Sequence, residues 1–157
     1  MTDHQRSRVY AAEDAWALLL DAARRGAVRA TVAGSQVLLP QEKHFGTLEA
    51  AQMYADSHLE GLPPVTVRRR RGQAKAHWEA PGIIALPVPA HGTPWALRES
   101  VLLHELAHHS AFHRDGVGDH GPSYASRMLE LVEHALGPEA ALALRVEYGE
   151  RKVELRA

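Results

Sequence analysis

The sequence predicts an α+β fold in which a small, mostly antiparallel sheet packs on helices and the helix around residue 104 lies in the core. Three observations predict it. Apolar residues recur at helical spacing in four stretches. Short β-like segments punctuated by Gly and Pro fall between them. The 157 residues suit one domain, taken here as 1–157, and can bury a core without disulfide or metal staples.

Residues 1–7 are polar and expected to fray. Residues 9–25 read as an amphipathic helix with Ala12, Trp16, Leu19, Leu20 and Ala23 on one face, ended by Gly26. Residues 27–39 are β-like, with a turn at Gly34-Ser35 and a stop at Pro40. A second helix covers 47–59. Thr47 is its N-cap, and Leu48, Ala51, Tyr54, Ala55 and Leu59 make its apolar stripe. Gly61 and Pro63-Pro64 close it.

Residues 65–70 and 74–78 look like the two strands of a hairpin turned near Arg71-Gly72. Residues 82–86 form a short apolar strand between Pro81 and Pro87. Thr93-Pro94 supplies an N-cap and an N1 proline for a long helix to about Ser110. After a loop with Gly116, Gly118 and Gly121, Pro122 opens a helix that Gly137-Pro138 stops after Leu136. The tail holds a short helix. Beyond it, 146–155 reads either as a hairpin around Gly149 or as a frayed helix. There is no internal repeat and no linker long enough to split the chain.

A formal net charge of −1 gives no general attraction to nucleic acid or membranes. There is no cysteine, so any transition metal must be held by His and carboxylates. The apolar run 15–20 follows Glu13-Asp14 and precedes Asp21; it is too short for a membrane span and lacks the charge layout of a signal peptide. The expectation is a cytoplasmic protein with no membrane partner. Histidine stands out: five of 11 fall between His104 and His120, a density that asks for a chemical explanation.

His104 and His108 are four residues apart on the long helix. Their imidazoles therefore stand one turn apart on the same face, the spacing two nitrogens need to meet one tetrahedral zinc ion. Glu105 sits beside that face, within reach of a water on the metal, and Leu102 and Leu106 fall opposite. A catalytic zinc normally has three protein ligands, so a third is needed from His109, His113, His120, Asp115, Asp119, Glu130 or Glu133. His109 is turned about 100° from His108. Position 114, six beyond His108, is Arg114, which cannot bind zinc. Tyr124, Met128, Leu131, Val132 and Ala135 form the apolar stripe of the next helix, so Glu130 and Glu133 face the other way. His120, at the mouth of that helix after a glycine-bearing loop, is favoured, with His113 and the two glutamates as alternatives.

His104-Glu105-x-x-His108, eleven residues, then His120-Gly121-Pro122-x-Tyr124 resembles the SprT-like and Spartan-type zinc proteases over residues 94–136. A fuller likeness is to small, zincin-like metallohydrolases of actinobacterial type. It rests on the Arg-rich hairpin, Gly82-Ile83-Ile84-Ala85-Leu86-Pro87, Leu103-His104-Glu105-Leu106-Ala107-His108-His109 and His120-Gly121-Pro122. The resemblance implies one Zn²⁺ per chain on His104, His108 and His120, with Glu105 as general base. The chain departs from Spartan-type enzymes in lacking the cysteines of a zinc ribbon.

These parts imply hydrolysis of a peptide or amide bond by zinc-activated water, with a peptide or protein as substrate. Tyr124, His109 and His91 are candidates for a second electrophile or substrate contact, set against an apolar-stripe residue, a surface residue and a loop residue respectively. Asp115 and Asp119 are either acceptors that orient ligand imidazoles or turn residues. Ile83, Ile84, Ala85 and Leu86 are expected to form an edge strand along which substrate adds as a further strand. An interior strand is the competing view. Arg68, Arg69, Arg70 and Arg71, with Lys75, form a basic patch that reads as a nucleic-acid phosphate or acidic-substrate contact, or as a solvated hairpin tip. A non-catalytic or regulatory zinc-binding protein is the second function class. Glu105 argues against it, since a purely structural site has no use for a carboxylate beside the metal water.

Overall fold

The structure is a computed structural model that describes residues 2–72, 75–88 and 95–157. The fold is α+β. Among the described residues the elements run α1 (Arg6–Arg24), β1 (Arg29–Val32), β2 (Ser35–Leu38), α2 (Leu48–Ser57), β3 (Thr66–Arg70), β4 (His77–Glu79), β5 (Ile83–Pro87), α3 (Glu99–Asp115), α4 (Pro122–Leu136) and α5 (Pro138–Glu150). They gather into two compact units, one of Met1–Glu42 with Asp119–Ala157 and one of Lys43–Gly118.

In the first unit, α1 buries Val9, Ala12, Trp16, Leu20 and Ala23, spaced so that they line one face. The Trp16 indole N–H donates to the Ala140 carbonyl at 3.1 Å, which ties α1 to α5. The helix starts at Arg6, earlier than its apolar spacing implied, so it takes in part of the segment expected to fray. Gln5 is buried and exchanges two hydrogen bonds with the backbone of Glu154. Arg8 donates to the Lys152 carbonyl at 2.8 Å. The β1–β2 turn sits one residue earlier than expected. Its central residues are Ala33 and Gly34, both at positive φ, and Ser35 already pairs with Val32, the pattern of a tight two-residue hairpin. α4 has the expected bounds. Its inward face carries Leu129 rather than Leu131 beside Tyr124, Met128 and Val132. The tail resolves as continuous helix through Gly149.

In the second unit, the Thr47 side chain accepts from the Ala50 N–H at 3.1 Å and caps α2 as expected. The three-stranded sheet has the order β3-β5-β4. The expected hairpin of 65–70 with 74–78 is not formed: β5 lies between β3 and β4, parallel to β3 and antiparallel to β4. Residue 74 lies outside the described residues. The same order overturns the edge-strand expectation for Ile83, Ile84, Ala85 and Leu86. Ala85 is in register with Arg68 on one side and His77 on the other, and Ile84, Ala85 and Leu86 are fully buried. A run of apolar residues with no polar alternation suits a strand covered on both faces. Pro81 precedes the strand and Pro87 is its last residue, positions proline tolerates without an interior ladder bond. On the outer side of β3, the Gln52 amide accepts from the Val67 N–H at 2.7 Å and donates to the Val65 carbonyl at 3.0 Å.

α3 begins at Glu99, behind Arg98, and not at Thr93-Pro94, which lie outside the described residues. Its first residue is fully buried. The Glu99 carboxylate accepts from the Lys43 N–H at 3.0 Å and from the Tyr54 hydroxyl. The helix also runs past Ser110 to Asp115, where Gly116 takes a left-handed conformation. The Val117 N–H then reaches the Ala111 carbonyl, a Schellman-type stop that favours glycine.

Candidate metal centre

α3 is the most enclosed helix of its unit. It buries every residue from Leu102 to Ala111, so the packing that holds it is wider than the leucine stripe alone. On it, His104 and His108 stand one turn apart and meet edge to face, with ring centroids 5.1 Å apart and planes at 69°. Both are buried, as is Glu105, whose Oε1 lies 4.0 Å from His104 Nε2. Charged and polar groups enclosed this way cost free energy unless they are engaged.

His120 lies in the loop before α4 and is buried. Its imidazole stands 5.0 Å from the Tyr10 ring and 5.1 Å from the Tyr124 ring. Its backbone N–H donates to Asp3 Oδ1 at 3.1 Å and its Nδ1–H donates to Asp3 Oδ2 at 2.7 Å. With Nδ1 held by a carboxylate, Nε2 is the ring atom suited to ligate a metal.

The ligand nitrogens of His104, His108 and His120 all lie within 4.8 Å of one another, and the buried triad can hold a metal ion. Three imidazoles without a thiolate form a borderline donor set that zinc, copper, iron or nickel accepts.

The alternatives for the third ligand are placed otherwise. Glu130 and Glu133 are exposed, and Glu130 pairs with Arg127 at 2.9 Å. The His113 Nε2–H donates to the Pro81 carbonyl at 2.6 Å. Asp119 is a turn residue: its Oδ1 accepts from the Gly121 N–H at 3.1 Å, and a Cβ at Gly121 would stand 2.9 Å from that oxygen. The carboxylate that orients an imidazole is Asp3, which the sequence reading had placed in a frayed end.

Two proposed substrate contacts are corrected. His109 is fully buried; its Nδ1 accepts from the Trp78 indole N–H at 3.2 Å and its Nε2–H donates to the Pro63 carbonyl at 2.7 Å. Burial lowers its pKa, the Pro63 bond opposes that, and nearby His113 lowers it further. With both nitrogens occupied, the ring ties the sheet to the 61–65 loop and offers nothing to an oxyanion. The close packing there also requires Gly82, where a Cβ would stand 2.7 Å from the Pro64 carbonyl oxygen and 3.3 Å from the His109 ring. The Tyr124 hydroxyl, also buried, donates to Glu13 at 2.9 Å, and the Tyr148 hydroxyl donates to the same carboxylate at 2.9 Å. Burial first, and then the Glu13 charge, raise the Tyr148 pKa well above its ordinary value. His91 lies outside the described residues.

Arg68, Arg69 and Arg70 belong to β3, with Arg71 directly after it, and not to a hairpin tip. Arg68 pairs with Glu79 at 3.0 Å, Arg69 donates to the Val88 carbonyl at 2.9 Å, and Arg70 donates to the Lys75 carbonyl. Among the described residues, no helix is long and apolar enough to cross a membrane. No protein-family model matches the chain, and no curated protein or solved structure matches it.

Proposed function

We propose that the protein is a zinc-dependent hydrolase, of metallopeptidase type, with His104, His108 and His120 as ligands and Glu105 as general base. The observation that carries this reading is the convergence of three buried imidazoles, two of them on the helix that places Glu105 beside them. Three histidines leave a fourth tetrahedral position, as catalytic zinc sites do and closed structural sites do not. When bound, the ion supplies a Lewis acid and lowers the pKa of water to about 7. Glu105 accepts the water proton on a carboxylate oxygen and returns it to the leaving amine. Asp3 holds His120 with its proton on Nδ1, and the walls of α3 keep His104 and His108 in register.

Glu105→Gln tests the reading. The amide is nearly isosteric and accepts no proton, so turnover of a peptide library falls on the order of 10²–10⁴-fold while zinc content and circular dichroism stay as in wild type. Equal turnover by the variant removes Glu105 as the base. A wild type that binds zinc but cleaves no peptide supports the regulatory binding protein instead.

A further inference from the structure

The candidate ligand His120 is held by Asp3, in an N-terminal segment that is itself bonded to the C-terminal one. Asp3 accepts two hydrogen bonds from that one residue, from its backbone N–H at 3.1 Å and from its ring Nδ1–H at 2.7 Å. Such a pair fixes the loop backbone and the ring rotation together. Asp3 itself stands two residues from Gln5, which is buried and bonded in both directions to the backbone of Glu154. Arg8 adds a bond to the Lys152 carbonyl, and Val153 is buried beside them. Neither the packing of α1 nor that of α5 requires an aspartate at position 3: its side chain is about a quarter exposed, and its carboxylate bonds point to His120.

We infer that Asp3 is a positioning residue for the metal centre, clamped in place by the C-terminal segment through Gln5 and Glu154. This rests on the metal-centre reading above. The carboxylate keeps the His120 proton on Nδ1 and makes Nε2 a stronger donor. Without it the ring is free to rotate or to carry its proton on the nitrogen that must bind. Outer carboxylates of this kind set metal affinity by roughly 10–100-fold.

The test uses the full chain and zinc chloride, with zinc Kd read by competition against a chromophoric chelator. The melting temperature of the metal-free protein and the nitrogen chemical shifts of its neutral His120 ring are read alongside. Asp3→Ala weakens zinc binding about 10–100-fold, lowers the metal-free melting temperature by a few degrees at most, and moves the ring proton from Nδ1 towards Nε2. Asp3→Asn keeps one acceptor oxygen, puts an amide N–H2 donor where the other stood and so retains only one of the two bonds, and its Kd falls between alanine and wild type. Gln5→Ala, which keeps Asp3 but loosens its tether, also falls between. An Asp3→Ala protein with wild-type Kd and an unchanged His120 tautomer overturns the positioning role while the metal centre stands. A wild type that binds no zinc, with the Asp3-dependent tautomer still present, overturns the metal centre itself and with it the role in affinity. Loss of zinc affinity in equal measure with loss of metal-free stability makes Asp3 a structural residue only.

Discussion

Glu13 accepts hydrogen bonds from two fully buried tyrosines, Tyr124 and Tyr148. Tyr148 stays protonated in the folded chain at pH values where the unfolded chain has begun to ionise, because burial and the Glu13 charge raise its pKa. Its contribution to stability is therefore complete below about pH 10, the unfolded value, and is lost as pH climbs above it. The expected slope is about 1.4 kcal/mol per pH unit for this one group. Denaturant titrations between pH 10 and 11 should show a shallower decline in Tyr148→Phe than in wild type. Equal slopes would contradict the assignment. At this scale the sequence was legible only where partners are near neighbours. His104, Glu105 and His108 declare themselves through a four-residue spacing. Asp3 and Glu13 do not, since their partners lie 111 to 135 positions away in the chain. Tyr124 and His109 carried a chemical suggestion because their residue types suit an oxyanion site, and packing claims both.

Element identity followed local chemistry, and element order did not. Pro122 and Gly137-Pro138 bound α4 where the sequence places them, and Thr47 caps α2. The start of α3 was missed because Thr93-Pro94 is a good local signal and Arg98, the residue actually before the helix, is not. Its stabilisation comes from Lys43 and Tyr54 acting on Glu99, more than 40 positions away. The strands were found, yet their pairing was misread. A turn signal at Arg71-Gly72 suggests a hairpin, whereas the apolar β5 gains more by lying between β3 and β4, where both of its edges are bonded. Ala85→Pro tests that order. Wherever the Ala85 N–H points, a strand stands beside it, so proline removes a ladder bond and leaves a buried carbonyl unsatisfied, at about 1–3 kcal/mol before any steric strain. Thermal melting should fall sharply or no folded protein should be recovered. An unchanged melt would put β5 back at an edge.

For the whole chain, the α+β class was legible from two periodicities and from punctuation by Gly and Pro. The grouping of residues was not. One unit is assembled from the first 42 residues and the last 39, so its core depends on contacts such as Trp16 with Ala140 and Gln5 with Glu154. Periodicity along the chain carries no information about pairs that distant. The same non-locality joins His120 to Asp3. The central claim is that His104, His108 and His120 hold one metal ion, and elemental analysis of purified protein after zinc loading and desalting tests it most directly. The account predicts one zinc per chain in wild type and in Glu133→Ala, and less than a tenth of that in His104→Ala, His108→Ala and His120→Ala. A wild type that retains no zinc, or a His120→Ala protein that retains the full equivalent, would contradict it.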